Sequence, residues 1–550
     1  MTTTYSLTTR ASKGSALTHT EMDANLTYFN NSKIASVLDY GAAGDGTTND
    51  TTALQAAIDA NYGGTLFVPA GTYLHTGLTI TDTITIIGEG FMNYPENPVI
   101  VGGNAGTTFW KITSGDSFLI QDENYPSSYA DTEFLVTLRN FNVIGARHDS
   151  VGGQWNTTSV TTGSGIVVNA GDASGAVIHI DADGVFCHSH PENGWELTGQ
   201  IYGSDFGWIG GSYNGNNGLY LSADGFSNVG GEIHIKHWRG FKNGDMGVTE
   251  NTSAGVFLDH RGQSVTVGLM TISNNYGPHF KLARGGVDIK KLHCETQFGT
   301  PTSSPVVFGD ATNLTSPSTI DTILVDPGDN YTLPILKFNN NATKIRVNTL
   351  RVGDSGLTSN HVNFASGALY NYVGQIWGSD TISVSDSDGR NVVQCALPSF
   401  SARLSGNATN VTGDSTEYTI QFNTENYDYA GNFNTGTYTF TAPITGVYWF
   451  NCVVYVSGAD GANHDTFMVK LYKNGADEIA RSLSSGYPLK PTEVSLIANR
   501  EQFLAKGDTV TAVLRVENGG KTVDITAGDS LTYFSGRLLF PTTSGGAAWQ

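Results

Sequence analysis

Acidic side chains recur on short, strand-like segments between residues 176 and 238 of this chain. Hydrolysis of a glycosidic bond needs two carboxyl groups, about 5–5.5 Å apart in retaining enzymes and about 6.5–9.5 Å apart in inverting enzymes. Carboxylates packed this closely repel each other, which raises the pKa of one and prepares it as a general acid. The candidate catalytic residues are Asp183, Asp205 and Glu232, with Asp181 as a substitute. Solvated carboxylates at strand ends are the alternative interpretation of each.

The same segments carry aromatic and basic side chains that could bind a sugar. Aromatic rings stack on sugar rings, and tryptophan on a polar outer surface is uncommon. The candidate substrate-binding residues are His234, Trp195, Trp208, Trp238, Tyr220 and Arg239. Core packing is the alternative for about half of the aromatic residues in this region.

Strands of alternating polarity are expected to hold these groups. Side chains along a strand point to opposite faces in turn, so Ile178, Ile180 and Ala182 are expected inward. The same rule places Ile233 and Ile235 inward. The residues that it places outward are His179, Asp181, Asp183, Glu232, His234, Lys236 and Trp238. The pattern predicts an apolar interior and a polar outer face.

An internal repeat predicts how these strands line up. Four turns, each followed by a strand, contain Asn193, Asn214, Asn243 and Asn274, at intervals of roughly 20–30 residues that suit one solenoid coil. Parallel strands lie about 4.8 Å apart, so carboxylates in one column on adjacent or next coils span the distances that glycosidases need. Counting back about nine residues from each turn brings three groups together, with an error of one or two residues. These groups are Asp183, Asp205 and the pair Glu232/His234.

A second acidic group suggests a different chemistry. It consists of Asp224, Glu250 and the sequence Asp259-His-Arg261. A lyase uses a base to remove the proton next to a uronic carboxylate, and a cation to stabilise the resulting charge. Arg261 could be that cation, but lysine and arginine are few on this predicted surface. A lyase is therefore ranked below a hydrolase.

Residues 39–90 predict how the solenoid begins. A helix is expected after Asp50, which can cap it, and the residues that share its apolar face are Ala53, Leu54, Ala57 and Ile58. Short strand segments closed by Gly and Pro follow. The acidic residues Asp39, Asp45 and Asp50 are expected to serve turns and caps. No metal or other cofactor is predicted.

This ordered block contains Asp39-Tyr-Gly, Gly44-Asp-Gly, Phe67-Val-Pro-Ala-Gly-Thr-Tyr and Ile86-Ile-Gly-Glu-Gly. It resembles the beginning of the pectate-lyase-like superfamily, in the form common in phage tailspikes. The resemblance implies an all-β chain with a right-handed, single-stranded parallel β-helix behind an N-terminal capping helix. It implies no mechanism, because members of the superfamily include lyases, hydrolases and proteins that only bind.

The C-terminal 150 residues or so are different in kind. Their landmarks are residues 432–450, 469–475, 504–510 and 529–540. These resemble the C1q/TNF-like jelly-roll domain, a β-sandwich that implies a compact homotrimer with aromatic strands about a threefold axis. In this chain Tyr448, Trp449 and Phe450 are candidates for that interface, with the domain core as an equal alternative.

The first 35 residues resemble the leader of phage tail fibre and tailspike proteins. Met22, Leu26 and Phe29 have helical spacing, which suits docking onto a virion tail or baseplate protein. A disordered terminus is the alternative. The predicted segments are a leader (1–35), the β-helix with its cap (36–305), final coils and connector (306–397), the jelly roll (398–541) and a tail (542–550).

Composition excludes several classes of function. A formal charge of −21 and a pI near 4.9 argue against a nucleic-acid partner. Neither a secretory signal nor an apolar run long enough for a membrane span is present, so no membrane insertion is expected. The cysteines Cys187, Cys294, Cys395 and Cys452 lack metal-ligand spacing and are expected to be buried free thiols.

Together these features predict a phage tailspike, made in a host cytoplasm and carried on the virion. Its partner would be a bacterial surface polysaccharide (capsule, exopolysaccharide or O-antigen), which it would bind and cleave by hydrolysis during adsorption. The alternatives are a receptor-binding fibre without enzymatic activity, a polysaccharide lyase, and a rigid β-helix spacer with recognition confined to the C-terminal domain.

Overall fold

The computed structural model describes residues 8–32, 34–91, 106–121, 133–145, 162–170, 177–199, 201–222, 232–244, 253–260, 265–295, 303–310, 315–326, 332–353, 361–377, 384–393, 398–429, 431–485 and 492–541. The chain forms two compact units, Met1–Val306 and Val307–Gln550. The helices are α1 (Arg10–Lys13), α2 (His19–Ser32) and α3 (Thr51–Ala60), with a 3₁₀ turn at Val37–Tyr40. None of the helices in these ranges is long and apolar enough to cross a membrane.

The first unit is built from short parallel strands. They are β1 (Ala35–Ser36), β2 (Asp45–Asn49), β3 (Thr65–Val68), β4 (Gly71–His75), β5 (Leu78–Ile80), β6 (Ile84–Gly88), β7 (Thr107–Lys111), β8 (Phe118–Gln121), β9 (Glu133–Ile144), β10 (Ile166–Asn169), β11 (Val177–His188), β12 (Trp195–Thr198), β13 (Ser204–Ser212), β14 (Leu219–Ser222), β15 (Ile233–Phe241), β16 (Val256–Asp259), β17 (Val265–Ser273), β18 (Phe280–Arg284) and β19 (Val287–Glu295).

These strands form two stacked sheets. In the long-strand sheet, β9, β11, β13, β15, β17 and β19 follow one another, and in the short-strand sheet β8, β10, β12, β14, β16 and β18 do the same. Each strand pairs in parallel with the strand one coil away, as a parallel β-helix requires. The interior is apolar, as predicted: Ile178, Ile180 and Ala182 are fully buried.

Each long strand bends at a corner where two consecutive side chains point outward. In β11 the inward residues on either side of the corner are Ala182 and Val185, three positions apart rather than two. The same spacing separates Phe206 from Ile209 in the next coil. The alternation of inward and outward residues therefore restarts with the opposite parity after the corner.

Buried asparagines connect the turns of successive coils. The Asn214 amide donates to Asn243 Oδ1 (3.0 Å), and the Asn243 amide donates to Asn275 Oδ1 (3.1 Å). Asn193 belongs to a different turn, where it accepts from the Asn217 amide (2.9 Å). The predicted repeat is therefore wrong in two of its four markers: Asn193 stands at another corner, and Asn275 replaces Asn274.

The N-terminal cap contains the predicted helix, but the side chain of Asp50 does not cap it. Leu54 and Ile58 in α3 are buried. Asp50 occupies the N-cap position without capping, because its carboxylate accepts from the backbone N–H groups of Ala43 (2.7 Å) and Gly44 (3.0 Å). The aspartate is thus buried as the anchor of the preceding turn.

The second unit contains further coils and then a β-sandwich. Its strands are β20 (Val306–Phe308), β21 (Ser318–Asp326), β22 (Leu336–Phe338), β23 (Ile345–Val352), β24 (Val362–Phe364), β25 (Tyr372–Trp377), β26 (Val384–Asp386), β27 (Val392–Val393), β28 (Ser399–Arg403), β29 (Ala408–Thr412), β30 (Glu417–Thr419), β31 (Thr424–Tyr429), β32 (Phe433–Asn434), β33 (Thr439–Thr441), β34 (Gly446–Ser457), β35 (Thr466–Lys473), β36 (Asp477–Ser485), β37 (Val494–Leu504), β38 (Thr509–Glu517), β39 (Val523–Ile525) and β40 (Tyr533–Pro541).

The strands from β28 onward form the predicted jelly roll. One antiparallel sheet has the order β29-β39-β34-β40-β28-β31 with β37 beside β34, and the other has the order β32-β33-β38-β35-β36 with β30 beside β38. Tyr448 and Phe450 are fully buried between the sheets, so they belong to the core. Trp449 points outward, and the Arg537 guanidinium lies over its ring, 5.5 Å from the ring centre of Trp449.

Three of the four cysteines are buried free thiols, as predicted. They are Cys187, Cys294 and Cys452, and burial raises the pKa of each thiol. Cys395 lies outside the described residues.

Candidate functional site

Two carboxylates and an imidazole stand side by side on the outside of the long-strand sheet. Asp181 in β11 is in register with Asp205 in β13, and Asp205 is in register with His234 in β15. Neighbouring strands lie about 4.8 Å apart, so the three side chains form a continuous row across three coils. This row, Asp181, Asp205 and His234, is called the acidic column below.

Arg139 holds one end of the acidic column. It lies on β9, one coil before Asp181, and its Nη2 forms an ion pair with the Asp181 carboxylate. Its Nη1 also donates to the Asp181 backbone carbonyl (2.9 Å). The guanidinium therefore fixes the orientation of Asp181 and offsets its charge. The sequence analysis did not identify this residue. The signal that could have identified it is its position at the corner of a strand with alternating polarity.

The other end of the column is fixed by a hydroxyl group. His234 Nδ1 is 2.5 Å from Thr266 Oγ1 on the following coil. This contact sets the orientation of the imidazole. Between the two fixed ends, Asp205 is exposed, and within the described ranges its carboxylate accepts no hydrogen bond. Asp205 is therefore the member of the column that is free to engage a ligand.

Asp183 lies at the corner and outside the column, which corrects the predicted alignment. Its Oδ1 accepts from the Trp208 backbone N–H (2.7 Å) and lies over Gly207. A Cβ on Gly207 would stand 2.3 Å from that oxygen. The count from Asn193 misplaced Asp183 because that turn is not the equivalent of the one at Asn214. Asp181, the predicted substitute, is the true neighbour of Asp205.

Glu232 borders a notch beside the column. The pairing of Ser204 with Ile233 places Glu232 next to Gly203 on the neighbouring coil, and His179 is the corresponding residue on the coil before. Gly203 adopts a left-handed conformation (φ 51°), and a Cβ there would lie 3.3 Å from His179 Nδ1. We call this open position, with Glu232 and His179 on its two sides, the Gly203 notch.

Two predicted sugar-binding tryptophans are buried, so those predictions are wrong. Trp195 points into the solenoid, where its Nε1 donates to the Gly210 carbonyl (3.2 Å) and its ring meets Phe206 edge-on. Trp238 is fully buried because it follows the corner of β15, where the alternation changes parity. Neither ring can stack on a sugar at the surface.

The remaining predicted binding residues divide between two faces. Trp208 is half-buried at the corner beside Asp183, and its ring stacks on His237 with centroids 5.6 Å apart. Burial lowers the pKa of His237, with a smaller contribution from Arg239. Arg239 lies beyond the corner of the same strand. Tyr220 is on the short-strand sheet, packed against Phe257 (5.3 Å), and is not part of the acidic column.

Of the second acidic group, Asp259 and His260 lie within the described residues. Asp259 forms a bidentate ion pair with Arg284, with distances of 2.6 and 2.9 Å. Its carboxylate is therefore committed to a structural contact. Asp224, Glu250 and Arg261 lie outside the described residues.

Comparison with known families gives matches for two parts of the chain. Residues 34–256, which include the acidic column, match the family described as rhamnogalacturonase A/epimerase, pectate lyase-like. Residues 399–539 match the C1q domain.

Individual relatives match over shorter stretches. Mannuronan C5-epimerase AlgE5 of Azotobacter vinelandii is 41% identical over 83 residues, 14% of this chain and 8% of that protein. Alginate lyase 7 of the same organism is 41% identical over 83 residues, 14% of this chain and 9% of its own length. Among solved structures, ORF18 of Geobacillus virus E2 covers 89% of this chain and 81% of its own, at 13% identity and a TM-score of 0.42. The chain thus carries a pectate-lyase-like parallel β-helix domain followed by a C1q domain.

Proposed function

We propose that this protein depolymerises a bacterial surface polysaccharide by glycosidic hydrolysis. The observation that carries the proposal is the in-register pair Asp181 and Asp205 on the outer face of the solenoid. Such a pair supplies the two carboxyl groups that glycoside hydrolysis requires. The match to a pectate-lyase-like family over the residues that form the column supports a polysaccharide as the substrate.

The proposed roles follow from the surroundings of each carboxylate. Asp205, exposed and without a hydrogen-bond donor among the described residues, delivers a proton to the departing glycosidic oxygen. Asp181, on the adjacent strand at the spacing of a retaining pair, attacks the anomeric carbon as that oxygen departs, and its ion pair with Arg139 keeps it oriented. Water activated by Asp205 then hydrolyses the glycosyl ester on Asp181, which frees the enzyme. His234, held by Thr266, positions the substrate beside Asp205.

A lyase is the second candidate, supported by the similarity to an alginate lyase and to C5-epimerases. In that reaction His234 would remove the proton next to a uronate carboxylate. Lys236, exposed on the same strand, would stabilise the resulting charge. The two reactions differ in their products, because elimination leaves an unsaturated sugar and hydrolysis does not.

The proposal is tested by incubating the full chain with capsule, exopolysaccharide or lipopolysaccharide from a bacterium that it adsorbs to. Size-exclusion chromatography reports shortening of the polymer, and ultraviolet absorbance reports unsaturated ends. New reducing ends without absorbance support hydrolysis, and absorbance supports elimination. Binding without shortening would assign the protein to receptor-binding fibres.

The Gly203 notch provides a prediction for substrate binding. Asparagine tolerates the left-handed backbone, so Gly203→Asn should fold, but its side chain would fill the space between His179 and Glu232. We expect about a tenfold or greater loss of kcat/KM, measured on the cleaved polymer. Gly475→Asn is the matched control, since Gly475 is also left-handed (φ 70°) and a Cβ there meets nothing within 4 Å. Equal activity in both variants would exclude the notch from the substrate path.

We also propose that the chain acts as a tailspike on a virion, with the leader as its attachment segment. The order of leader, β-helix and C-terminal domain supports this role. In α2, Met22 and Leu26 are one helical turn apart and are 42% and 66% exposed. They would contact the tail or baseplate protein. The side chain of Phe29 lies outside the described residues.

A homotrimer is proposed from the outward face of the sheet that contains β34, β37 and β40. Ile497 is 53% exposed there and is paired with Val453, next to Tyr533. Ile497→Arg should shift the protein from trimer to monomer, as measured by light scattering, because an arginine cannot be buried in an apolar interface. Leu483→Arg, at the same 53% exposure on the other sheet, should remain trimeric. A monomeric parent chain at micromolar concentration would contradict the proposal.

A further inference from the structure

A tryptophan stands exposed on the final coils of the second unit. Trp377, the last residue of β25, is 56% exposed. Single exposed aliphatic residues are common on protein surfaces, but a tryptophan in this position is informative, since burying it contributes more than burying any other side chain. Its surroundings show what kind of partner it fits.

An exposed arginine lies beside this tryptophan. Arg351 in β23 is in register with Trp377, so the two residues lie on neighbouring strands whose backbones are about 4.8 Å apart, and both are exposed on the same face. Within the described residues Arg351 makes no ion pair. Its charge is therefore available to a ligand.

The same two strands carry a second arginine and aromatic pair. The Arg346 guanidinium lies 4.5 Å from the ring centre of Tyr372. Its Nε donates to Asn348 Oδ1 (2.7 Å), and the Asn348 amide donates to Asp321 (2.9 Å). This network holds Arg346 and Tyr372 in place.

The two pairs stand on either side of the corner of β25. Val373 and Ile376 are buried and three positions apart, and Gln375 is exposed at the corner between the aromatic residues. Gly374 is buried, and the Asn348 backbone carbonyl occupies the position that a Cβ there would take. We call the surface formed by Arg346, Arg351, Tyr372 and Trp377 the aromatic–arginine surface.

We propose that the aromatic–arginine surface binds an acidic polysaccharide, apart from the acidic column. Trp377 would stack on the face of a pyranose ring, while Arg351 pairs with its carboxylate. Charge complementarity favours this occupant, because two arginines are exposed together in a chain with a formal charge of −21. Among the described residues, the carboxylates near this surface are Asp321, whose carboxylate accepts from the Asn348 amide, and Asp326, the last residue of β21.

Binding can be measured without cleavage. All variants are made in the full-length Asp205→Asn background, so a failure of the proposed hydrolysis does not affect the result. The probes are alginate, polygalacturonate, hyaluronan and polysialic acid, together with each polymer after reduction of its carboxyl groups. Affinity is measured by biolayer interferometry at fixed ionic strength, because charged contacts depend on salt.

We expect the parent to bind at least one acidic probe, and Trp377→Ala to weaken that binding about tenfold or more. Arg351→Gln should weaken it by about tenfold, with little effect on the carboxyl-reduced polymer. The controls are Tyr429→Ala, an aromatic residue that is 62% exposed on the C-terminal domain, and Lys521→Gln, an exposed cation there. Neither should change the affinity.

Three results would overturn the proposal. The parent could fail to bind every acidic probe, or the control substitutions could weaken binding as much as Trp377→Ala does. The third is a change in molecular mass in Trp377→Ala, seen by light scattering. That result would assign the surface to a contact between copies of this chain.

Discussion

Replacing Asp205 by asparagine is expected to lower the rate of glycan cleavage by about three orders of magnitude, with the fold unchanged. Proton transfer by a positioned carboxyl group contributes about 10²–10⁴-fold to such reactions, and an amide cannot supply it. The Asp205 carboxylate is exposed and accepts no hydrogen bond within the described residues, so the substitution removes no structural contact there. The rate would be measured as new reducing ends released from the polymer at saturating concentration.

Asp181→Asn should have a comparable effect for a different reason. It removes the nucleophilic carboxylate, and it leaves the guanidinium of Arg139 without the carboxylate of its ion pair. Some loss of stability is therefore expected in addition, and a thermal unfolding measurement separates the two effects. Arg139→Gln should reduce the rate of cleavage less than Asp181→Asn or Asp205→Asn does, because Arg139 acts only by positioning Asp181.

Asp288→Asn is the matched control for these substitutions. Asp288 is an exposed aspartate of the same sheet face. It is in register with Thr266, so it stands in the same row, two coils beyond His234 and three coils beyond Asp205. Its replacement should leave the rate within about twofold of the parent. Parent-like rates in both Asp181→Asn and Asp205→Asn would remove the acidic column as the active site, whatever the control showed.

The fold was predictable because its signals are local. Alternation with a period of two placed Ile178, Ile180 and Ala182 inward, and the structure buries all three. The cap was equally readable, since the helix after Asp50 and the strands behind it follow within a few residues. Asp50 shows the limit of such reasoning. Its position before the helix suggests a cap, but its carboxylate binds a turn that comes earlier in the chain.

The corner explains why part of the site was not predicted. At the corner two consecutive side chains point outward, so the residues after it face the opposite way from what a strict alternation predicts. Trp238 therefore points inward, although the sequence suggests that it continues the outward series. The corner does leave a trace in the sequence, because apolar residues recur three positions apart, as at Ile235 and Trp238. A count of this spacing over several coils would locate the corner.

The alignment between coils could not be read from one sequence. Coils differ in length, so a marker such as Asn193 can be matched to the wrong turn, and an error of two residues replaces Asp181 by Asp183. The ion pair of Arg139 with Asp181 joins residues 42 positions apart and depends on that alignment. Columns of this kind are set by pairing between strands, and they become visible only in the structure.

Two buried histidines should make the β-helix sensitive to acid. Burial, reinforced by the positive charge of Lys111, lowers the pKa of His75 from its ordinary value of 6.5 to about 3. Burial also lowers the pKa of His190 to about 3, although a contact with the Val143 carbonyl opposes it. Both side chains are almost fully buried.

The sign of the effect follows from proton binding. The unfolded chain protonates these histidines near pH 6.5 and the folded chain only near pH 3, so the unfolded state binds more protons between those values. Their contribution to stability is complete above pH 6.5 and is lost progressively as the pH falls towards 3. At pH 5 the loss is about 2 kcal/mol for each histidine.

His75→Leu provides the test. Within the described residues neither ring nitrogen of His75 has a hydrogen-bond partner, and the ring packs against Phe109 and Phe118. The variant should therefore be more stable than the parent at pH 7.5, and its advantage should grow by about 2 kcal/mol at pH 5. Urea unfolding, followed by hydrogen exchange of peptides that cover β4 and β7, measures both values. An advantage of His75→Leu that is independent of pH would contradict the assignment.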